Sequence, residues 1–347
     1  MSERPAISVE GLWQVFGANA DSALAKAKAE GGPTAEIAAR LLDQGLIPAV
    51  RDATFDVAPG ELFVIMGLSG SGKSTLIRGI SRLVEPTAGK VDIEGEDILA
   101  ASKKRMTELR RTRMGMVFQH FGLFPHMSVL DNVAFPLKVG GMGRKARHDK
   151  VRGIIEMVGL KGREEAFPRE LSGGQRQRVG IARSLAGDCS VWFLDEPFSA
   201  LDPLIRRQLQ DEFLEIRQRL NTTIVFITHD IAEALKLADR IAIMRDGEIV
   251  QIGTPADIVL RPVDGYVREF ARDVAKGRHA RVASVMRDAG EGVGPDDPGL
   301  RTDMTLEAAL ASCMSLYEPV PVRDGDGALV GMVHPGDLAA ALQVDEA

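Results

Sequence analysis

The sequence predicts an α/β domain built on a mainly parallel sheet, and three observations carry that prediction. Strand-sized apolar runs recur along the 347 residues: Leu62–Met66, Met114–Phe118, Ser190–Leu194, Thr222–Ile227 and Arg240–Met244. Helical stretches lie between them, at about 128–138, 146–158, 174–186, 203–220 and 230–238. Finally, the first of these runs feeds a glycine-rich loop and then a helical pattern, the opening of an α/β nucleotide-binding unit. Parallel strands need crossover helices, which cover the sheet on both faces. At roughly 150 residues per domain, the length allows one large domain and something smaller. A composition of 45% hydrophobic and 27% charged residues excludes a disordered or collagen-like chain.

Taken in order, the elements justify themselves by pattern. Residues 18–46 interrupt the start of the domain and read as two short helices split by Gly31-Gly32-Pro33. The first is rich in Ala and Lys; the second carries Ile37, Leu41 and Leu42 on one face, as a surface helical insertion would. The strand ending at Met66 is followed by a helix with Leu76, Ile77, Ile80 and Leu83 on its apolar side. After about residue 272 a loop rich in Gly, Pro and Asp (Asp288–Gly299) precedes a small α-β-β-α pattern from Met304 to Leu342. The predicted division is a nucleotide-binding domain over 1–272 with a helical subdomain at about 120–172, a linker over 273–300, and a small unit over 301–347.

Several function classes fall away on composition. No apolar run approaches the ~18–20 residues of a membrane span. Met1-Ser-Glu-Arg-Pro lacks the basic-then-apolar build of a secretory leader, so a cytosolic protein is expected. Two cysteines, Cys189 and Cys313, make neither a disulfide framework nor a metal-ligand spacing. A net charge of −6 gives no support to a nucleic-acid partner.

The chemistry begins at Gly67–Ser74, which satisfies G-x-x-x-x-G-K-[ST]. Glycines let successive backbone N–H groups turn inward around phosphate oxygens. Lys73 is suited to the β- and γ-phosphates and the Ser74 hydroxyl to Mg²⁺; Ser69, Gly70, Ser71, Gly72 and Thr75 complete the binding loop. A second element, Val191-Trp-Phe-Leu-Asp195-Glu196, delivers two consecutive carboxylates at a strand end, where ligands sit in parallel sheets. Asp195 suits the Mg²⁺ shell, and Glu196 can polarise an attacking water. In Leu171-Ser172-Gly173-Gly174-Gln175 a glycine pair opens a helix whose N-terminal amides form another phosphate receptor. One nucleotide does not need two receptors from one chain. This helix end is therefore expected to close on ATP held by a second copy.

This ordered set resembles the ATP-binding-cassette ATPases over about residues 7–270, with Leu171–Gln175 matching their signature motif. Phe118-Gln119 looks like their Q-loop, Phe198-Ser199-Ala200-Leu201-Asp202 like the D-loop, and Ile227-Thr228-His229-Asp230 like the switch-histidine loop. The resemblance implies a fold, the cassette with its helical subdomain, and a set of roles. Phe16, in Val15-Phe16-Gly17, would stack on adenine, with Trp13 as the competing aromatic. Gln119 would sense Mg²⁺ and the γ-phosphate; Ser172 and Gly174 would touch the γ-phosphate in trans, within a receptor that includes Gly173 and Gln175. Asp202 would bridge two subunits, and His229 would hold the γ-phosphate and orient Glu196. His120, His126, His148, His279 and His334 match no such motif and read as structural.

A narrower resemblance is to the ATPase subunits of importers for glycine betaine, proline betaine and choline. It rests on Phe63–Ser69, Arg82–Thr87, Met127–Asn132 and Phe198–Ile205, and on the insertion at 18–46. It implies ATP and Mg²⁺ as cofactors and a peripheral place on the cytoplasmic face of the inner membrane. The implied partners are a second copy, membrane permease subunits touching Phe121–Val133, and indirectly a periplasmic or lipid-anchored substrate-binding protein. The alternative is an importer ATPase for another small solute, such as an amino acid or sulfonate. Relatives often carry two tandem CBS motifs; this tail shows one CBS-like unit, with strands at Val320–Val322 and Ala328–Val333 and a helix from Asp337. DNA-repair and ribosomal cassette proteins insert long coiled coils, which nothing between Gln119 and Leu171 resembles.

Overall fold

The computed structural model describes residues 4–118, 122–199, 201–219, 222–271, 281–287, 299–313 and 319–342. The chain divides into two compact units, Met1–His229 with Ile243–Ile249, and Asp230–Ala242 with Val250–Ala347.

In the first unit, β1 (Ile7–Phe16) and β2 (Ile47–Val57) form an antiparallel hairpin whose last pair sets Phe16 opposite Ile47. The hairpin connection is the expected insertion, α1 (Ala20–Ala29) and α2 (Thr34–Asp43). Both helices bury a face against the hairpin, where Leu24, Ala27, Ile37, Leu41 and Leu46 enclose Trp13 and Val15. One expectation is corrected here. Leu42 does not share the buried face of Ile37 and Leu41 but is 51% exposed. A helix turns about 100° per residue, so Ala38, not Leu42, completes the stripe.

β3 (Leu62–Met66) is buried along its whole length and runs through the glycine loop into α3 (Lys73–Ile80). β4 (Ala88–Ile93) and β5 (Glu96–Asp97) complete an antiparallel sheet in the order β2-β1-β4-β5. Phe55 of β2 stacks on Phe63 of β3 at 5.0 Å, which ties this sheet to the next. α4 (Lys103–Thr112) leads to β6 (Met114–Val117), and α5 (Val129–Val133), α6 (Phe135–Val139) and α7 (Arg144–Met157) come after it. These three helices pack on α8 (Gly173–Ala186), so the helical layer extends beyond the expected limit near 172.

After α8 come β7 (Val191–Asp195), α9 (Pro203–Arg219) and β8 (Thr223–Thr228). Strands β3, β8, β7 and β6 lie side by side and parallel, as the alternating pattern requires; β9 (Arg240–Arg245) and β10 (Glu248–Gly253) extend them to six. Phe198, Phe213 and Phe226 cluster within 5.8–6.2 Å of one another and seat α9 on the sheet. The register is what makes the site. Met66 pairs with Thr228, and Asp195 with Ile227, so β3, β7 and β8 end together at one edge.

The second unit contains α10 (Ile231–Leu237), α11 (Pro255–Leu260), α12 (Gly265–Ala271), β11 (Leu300–Arg301), α13 (Leu306–Cys313), β12 (Val320–Arg323), β13 (Leu329–Val333) and α14 (Pro335–Leu342). β11 pairs parallel with β12, and β12 antiparallel with β13. The α-β-β-α order is as read, with the last helix starting two residues earlier than Asp337. The span expected as linker differs. Arg281 bridges to Thr305 and Arg287 to Met332, while Val282 is fully buried among Leu300, Leu306, Val322 and Leu338. The C-terminal core therefore takes in residues 281–287, because Val282 is one of its buried members.

Candidate active site

The glycine loop is shaped by contacts that admit no side chain. Gly67 has φ +155° and Gly72 φ +100°. A Cβ on Gly67 would strike the Met244 carbonyl, and one on Gly72 the Ala49 carbonyl. Glycine is the residue for such close backbone approach. Ser69 and Gly70 lie exposed at the tip of the loop, while Ser71 is buried and its hydroxyl has no partner among the described residues. Thr75 is half-buried on the first turn of α3.

Lys73 folds back over this loop. Its Nζ donates to the carbonyls of Gly67 at 2.8 Å and Leu68 at 2.9 Å. Burial pulls its pKa down, against the opposing field of Glu196 and Asp195. One residue on, Ser74 donates its hydroxyl to Asp195 Oδ1 at 2.9 Å. Asp195 is 1% exposed, and that burial raises its carboxyl above the usual range, partly offset by the Ser74 hydrogen bond and Arg78. Arg78 reaches Asp195 Oδ2 at 3.7 Å. Sequence reasoning missed it, although its place one turn after Ser74 on α3 was a usable signal.

Glu196 takes φ +45°, a conformation that costs a non-glycine residue about 1–3 kcal/mol. Neighbours hold it there. Its N–H donates to the Ile227 carbonyl at 3.1 Å, and its carbonyl accepts from the Ser199 hydroxyl at 3.0 Å. The turn leaves Glu196 Oε2 at 3.2 Å from His229 Nδ1. The ends of three parallel strands thus bring Lys73, Ser74, Asp195, Glu196 and His229 together. Gln119, Phe121 and Ala200 lie outside the described residues.

The two aromatic candidates separate sharply. Trp13 is fully buried, donates Nε1 to Asp52 Oδ1 at 3.2 Å, and has Lys28 Nζ 5.1 Å from its ring centroid. It is a packing residue. Phe16 is 41% exposed at the end of its strand.

Ser172 caps α8. Its Oγ accepts from Gln175 N at 3.2 Å, and Gln175 Oε1 accepts from Ser172 N at 3.0 Å, a reciprocal box. Gly173 opens the helix, half-buried. Gly174 is buried, and a Cβ there would come within 2.8 Å of Ile205 on α9. Its lack of a side chain thus serves helix packing, a duty the expected phosphate contact did not anticipate. Asp202 is exposed and caps α9, its Oδ1 accepting from the N–H groups of Leu204 at 3.2 Å and Ile205 at 3.1 Å. Asn132 was also missed. Fully buried, its Oδ1 accepts from Phe124 N at 2.9 Å while Nδ2 donates to the carbonyls of Phe124, Met127 and Ser128. Such backbone-directed contacts leave no periodic trace in a sequence.

The donor set fits its groups. Positive-φ glycines, a helix N-terminus and a buried ammonium suit a polyphosphate, and the orphaned Ser71 hydroxyl adds a polar group to the loop. A hydroxyl and a buried carboxylate 2.9 Å apart are hard oxygen donors of the kind Mg²⁺ takes alongside phosphate oxygens. Fold and site together define an ATP-binding-cassette ATPase. The comparisons agree. The family described as ABC transporter matches residues 50–199. The ATP-binding protein TmoW of the trimethylamine N-oxide transport system of Ruegeria pomeroyi is 55% identical over 342 residues, covering 98% of this chain and 97% of that one. TmoW of Pelagibacter ubique is 48% identical, covering 96% of each. The glycine betaine transport ATP-binding protein OpuAA of Bacillus subtilis is 42% identical, covering 99% of this chain and 80% of that one. Among solved structures, the dimeric post-hydrolysis state of the cassette MJ0796 bound to ADP and Pi matches with a TM-score of 0.60 at 29% identity, covering 72% of this chain and 98% of that chain. The chain belongs to the ABC transporter family, among the ATP-binding subunits of quaternary-amine importers.

Proposed function

We propose that this ATPase powers import of trimethylamine N-oxide or a closely related methylated amine, working as one of two copies that close on ATP. The observation that carries the catalytic reading is the convergence of the Ser74–Asp195 pair at 2.9 Å with the Glu196–His229 pair at 3.2 Å. Glu196 accepts the proton of the attacking water, and His229 holds that carboxylate in place. Lys73 neutralises phosphate charge as it builds up. Ser74 and Asp195, with Gln119 as a further ligand, would hold Mg²⁺, which would supply charge stabilisation at the phosphate oxygens. Phe16 stacks on the base. Ser172, Gly173, Gly174 and Gln175 present the α8 N-terminus to the nucleotide of the second copy, and Asp202 lies at the subunit boundary.

The same reading extends to the remaining partners. A permease subunit docks on the helical layer of each copy, where a groove of about 630 Å³ is lined by Phe118, Phe124, Phe135, Val139 and Arg110. Asn132 stiffens its rim by holding the 124–128 loop. Half-buried Phe124, 4.5 Å from Phe135, and exposed Pro125 supply the mixed apolar surface that interfaces use. A substrate-binding protein outside the membrane selects the solute and never touches this chain. Among the described residues no helix is long and apolar enough to cross a membrane, which fits a peripheral subunit on the cytoplasmic face.

Two TmoW relatives match at 48% and 55% across nearly their whole lengths, which favours the N-oxide over glycine betaine. The test is uptake of labelled trimethylamine N-oxide, glycine betaine, choline, an amino acid and a sulfonate by vesicles holding the complete complex. Uptake of the N-oxide at the lowest concentration supports the proposal; preference for glycine betaine replaces its solute; uptake of an amino acid or sulfonate instead rejects the amine class.

A further inference from the structure

The phosphate loop leans on a turn far from it in sequence. Between β9 and β10, Asp246 and Gly247 take φ +51° and +86°, the two-residue hairpin turn with left-handed backbone at both positions. Asp246 is exposed, but Gly247 is buried. Its N–H donates to the Ser71 carbonyl at 3.0 Å, and its own carbonyl accepts from Arg51 N at 2.8 Å. The Ala49 carbonyl packs against both Gly247 and Gly72, and the Met244 carbonyl against Gly67. Main-chain atoms of β2, β9 and the turn thus brace the loop from behind.

The hydrogen bond to Ser71 has a directional consequence. The Ser71 C=O and the Gly72 N–H belong to one planar trans peptide and point in opposite directions. With the carbonyl turned toward Gly247, the Gly72 N–H is turned away from it. That N–H has no hydrogen-bond partner among the described residues. It stands at the N-cap of α3, one residue before Lys73, where free amides receive phosphate. A peptide that accepts at its oxygen is also polarised to donate more strongly at its nitrogen.

We infer that Gly247 is a positioning residue for phosphate binding: it holds the Ser71 carbonyl outward and so keeps the Gly72 N–H aimed at the phosphate chain of ATP. The inference rests on the reading of Gly67–Ser74 as the phosphate loop. Gly247 itself acts only through the Ser71–Gly72 peptide. Glycine is required there because φ +86° strains any other residue. A Cβ would also sit 3.0 Å from the Ala49 carbonyl oxygen and 3.2 Å from Arg51 Cγ. Alanine at this position pushes the turn off Ser71 and releases the peptide.

The experiment measures binding of inorganic tripolyphosphate by calorimetry to the full chain and to Gly247→Ala, Gly141→Ala and Lys73→Ala. Gly141 has nearly the same backbone, φ +84°, with open space where a Cβ would go, so Gly141→Ala carries the strain without the contact. Gly247→Ala is expected to weaken tripolyphosphate about tenfold, the low end for a hydrogen bond to a charged group, while Gly141→Ala binds as the unaltered chain does. Unchanged affinity in Gly247→Ala, with a loss in Lys73→Ala, overturns the assignment and leaves the phosphate loop standing. Unchanged affinity in both overturns the phosphate-loop reading as well. Equal losses in Gly247→Ala and Gly141→Ala also overturn the assignment, because they trace to backbone strain alone. A second measurement, on the unaltered chain, holds even where Gly247→Ala does not fold. In nuclear magnetic resonance spectra of glycine-labelled protein, tripolyphosphate is expected to move the Gly247 amide proton downfield, since an anion on the Gly72 N–H makes the Ser71 carbonyl a stronger acceptor. A Gly247 signal that stays in place at saturating tripolyphosphate overturns the proposal.

Discussion

The two phosphate-seeking regions of the cassette are built in opposite ways. The loop Gly67–Ser74 and the strand ends beside it hold groups under tension: a buried ammonium, a buried carboxylate with a raised pKa, and a glutamate in left-handed backbone. The signature end of α8 is relaxed. Ser172 and Gln175 satisfy each other's backbone, and Gly174 packs on Ile205. Strain and perturbed ionisation gather where chemistry is done. On the proposed function, the reaction belongs to one region and partner recognition to the other, a division that substitutions and a truncation can break or sharpen.

The largest effect belongs to Glu196→Gln. An amide can orient water but cannot take its proton, so turnover should fall by about 10²–10⁴ with ATP affinity retained. The variant should accumulate as an ATP-bound dimer in size-exclusion chromatography. Near-normal turnover would move the proton acceptor elsewhere and leave the strained backbone at Glu196 without a function.

Much of this region was legible in the sequence, because its residues are forced by local geometry. The glycine spacing, the paired carboxylates after β7 and the histidine after β8 each come directly after an apolar strand. Parallel strands that end together must gather the loops at their ends. The packing contacts were not legible. Trp13 and Phe16 are three residues apart with similar surroundings in sequence, and only the tertiary fit of α1 and α2 buries one and leaves the other out. That Gly174 also packs against Ile205 was not legible, because Ile205 is distant in sequence and gave no local signal. Residues 281–287 read as linker for the same kind of reason: a single Val282 joins a core whose other buried members lie from Leu300 onward.

Ser172→Ala has a smaller and more selective effect. Loss of the cap should lower stability by about 1 kcal/mol, visible as a drop in melting temperature. If α8 receives the nucleotide of a second copy, ATP affinity of the monomer stays unchanged while ATP-driven dimerisation weakens; sedimentation in the Glu196→Gln background reads this directly. An equal loss of monomer affinity would mean that the signature end helps to bind its own chain's nucleotide, and the division between the regions would fail.

The smallest effect is expected from the tail, which supplies neither region. Residues 299–347 hold eight acidic and two basic side chains, a charge that invites contact with a basic surface. Part of it is already matched locally: Arg301 pairs with Asp303 and Arg287 with Asp337, both at 2.9 Å. Asp324 accepts from the N–H groups of Asp326 and Ala328 within its own turn, but its charge and that of Asp326 remain open to solvent. Contacts through such exposed charges decay over a Debye length of ~8 Å at physiological salt. A brake made from them should release as salt rises. Truncation near Asp288 would leave Val282 and Met286 without their core, so the cut belongs after Ala271. Ala256 and Leu260 pack on that core, and some loss of melting temperature is expected from exposing them. ATP affinity should be unchanged, because every proposed nucleotide contact precedes residue 230. Transport-coupled ATPase activity of the complete complex, measured against salt, should rise for the full-length chain and be flatter and higher at low salt for the truncated one. Identical profiles would deny the tail any braking role. Loss of ATP binding would show that residues after Ala271 support the nucleotide site.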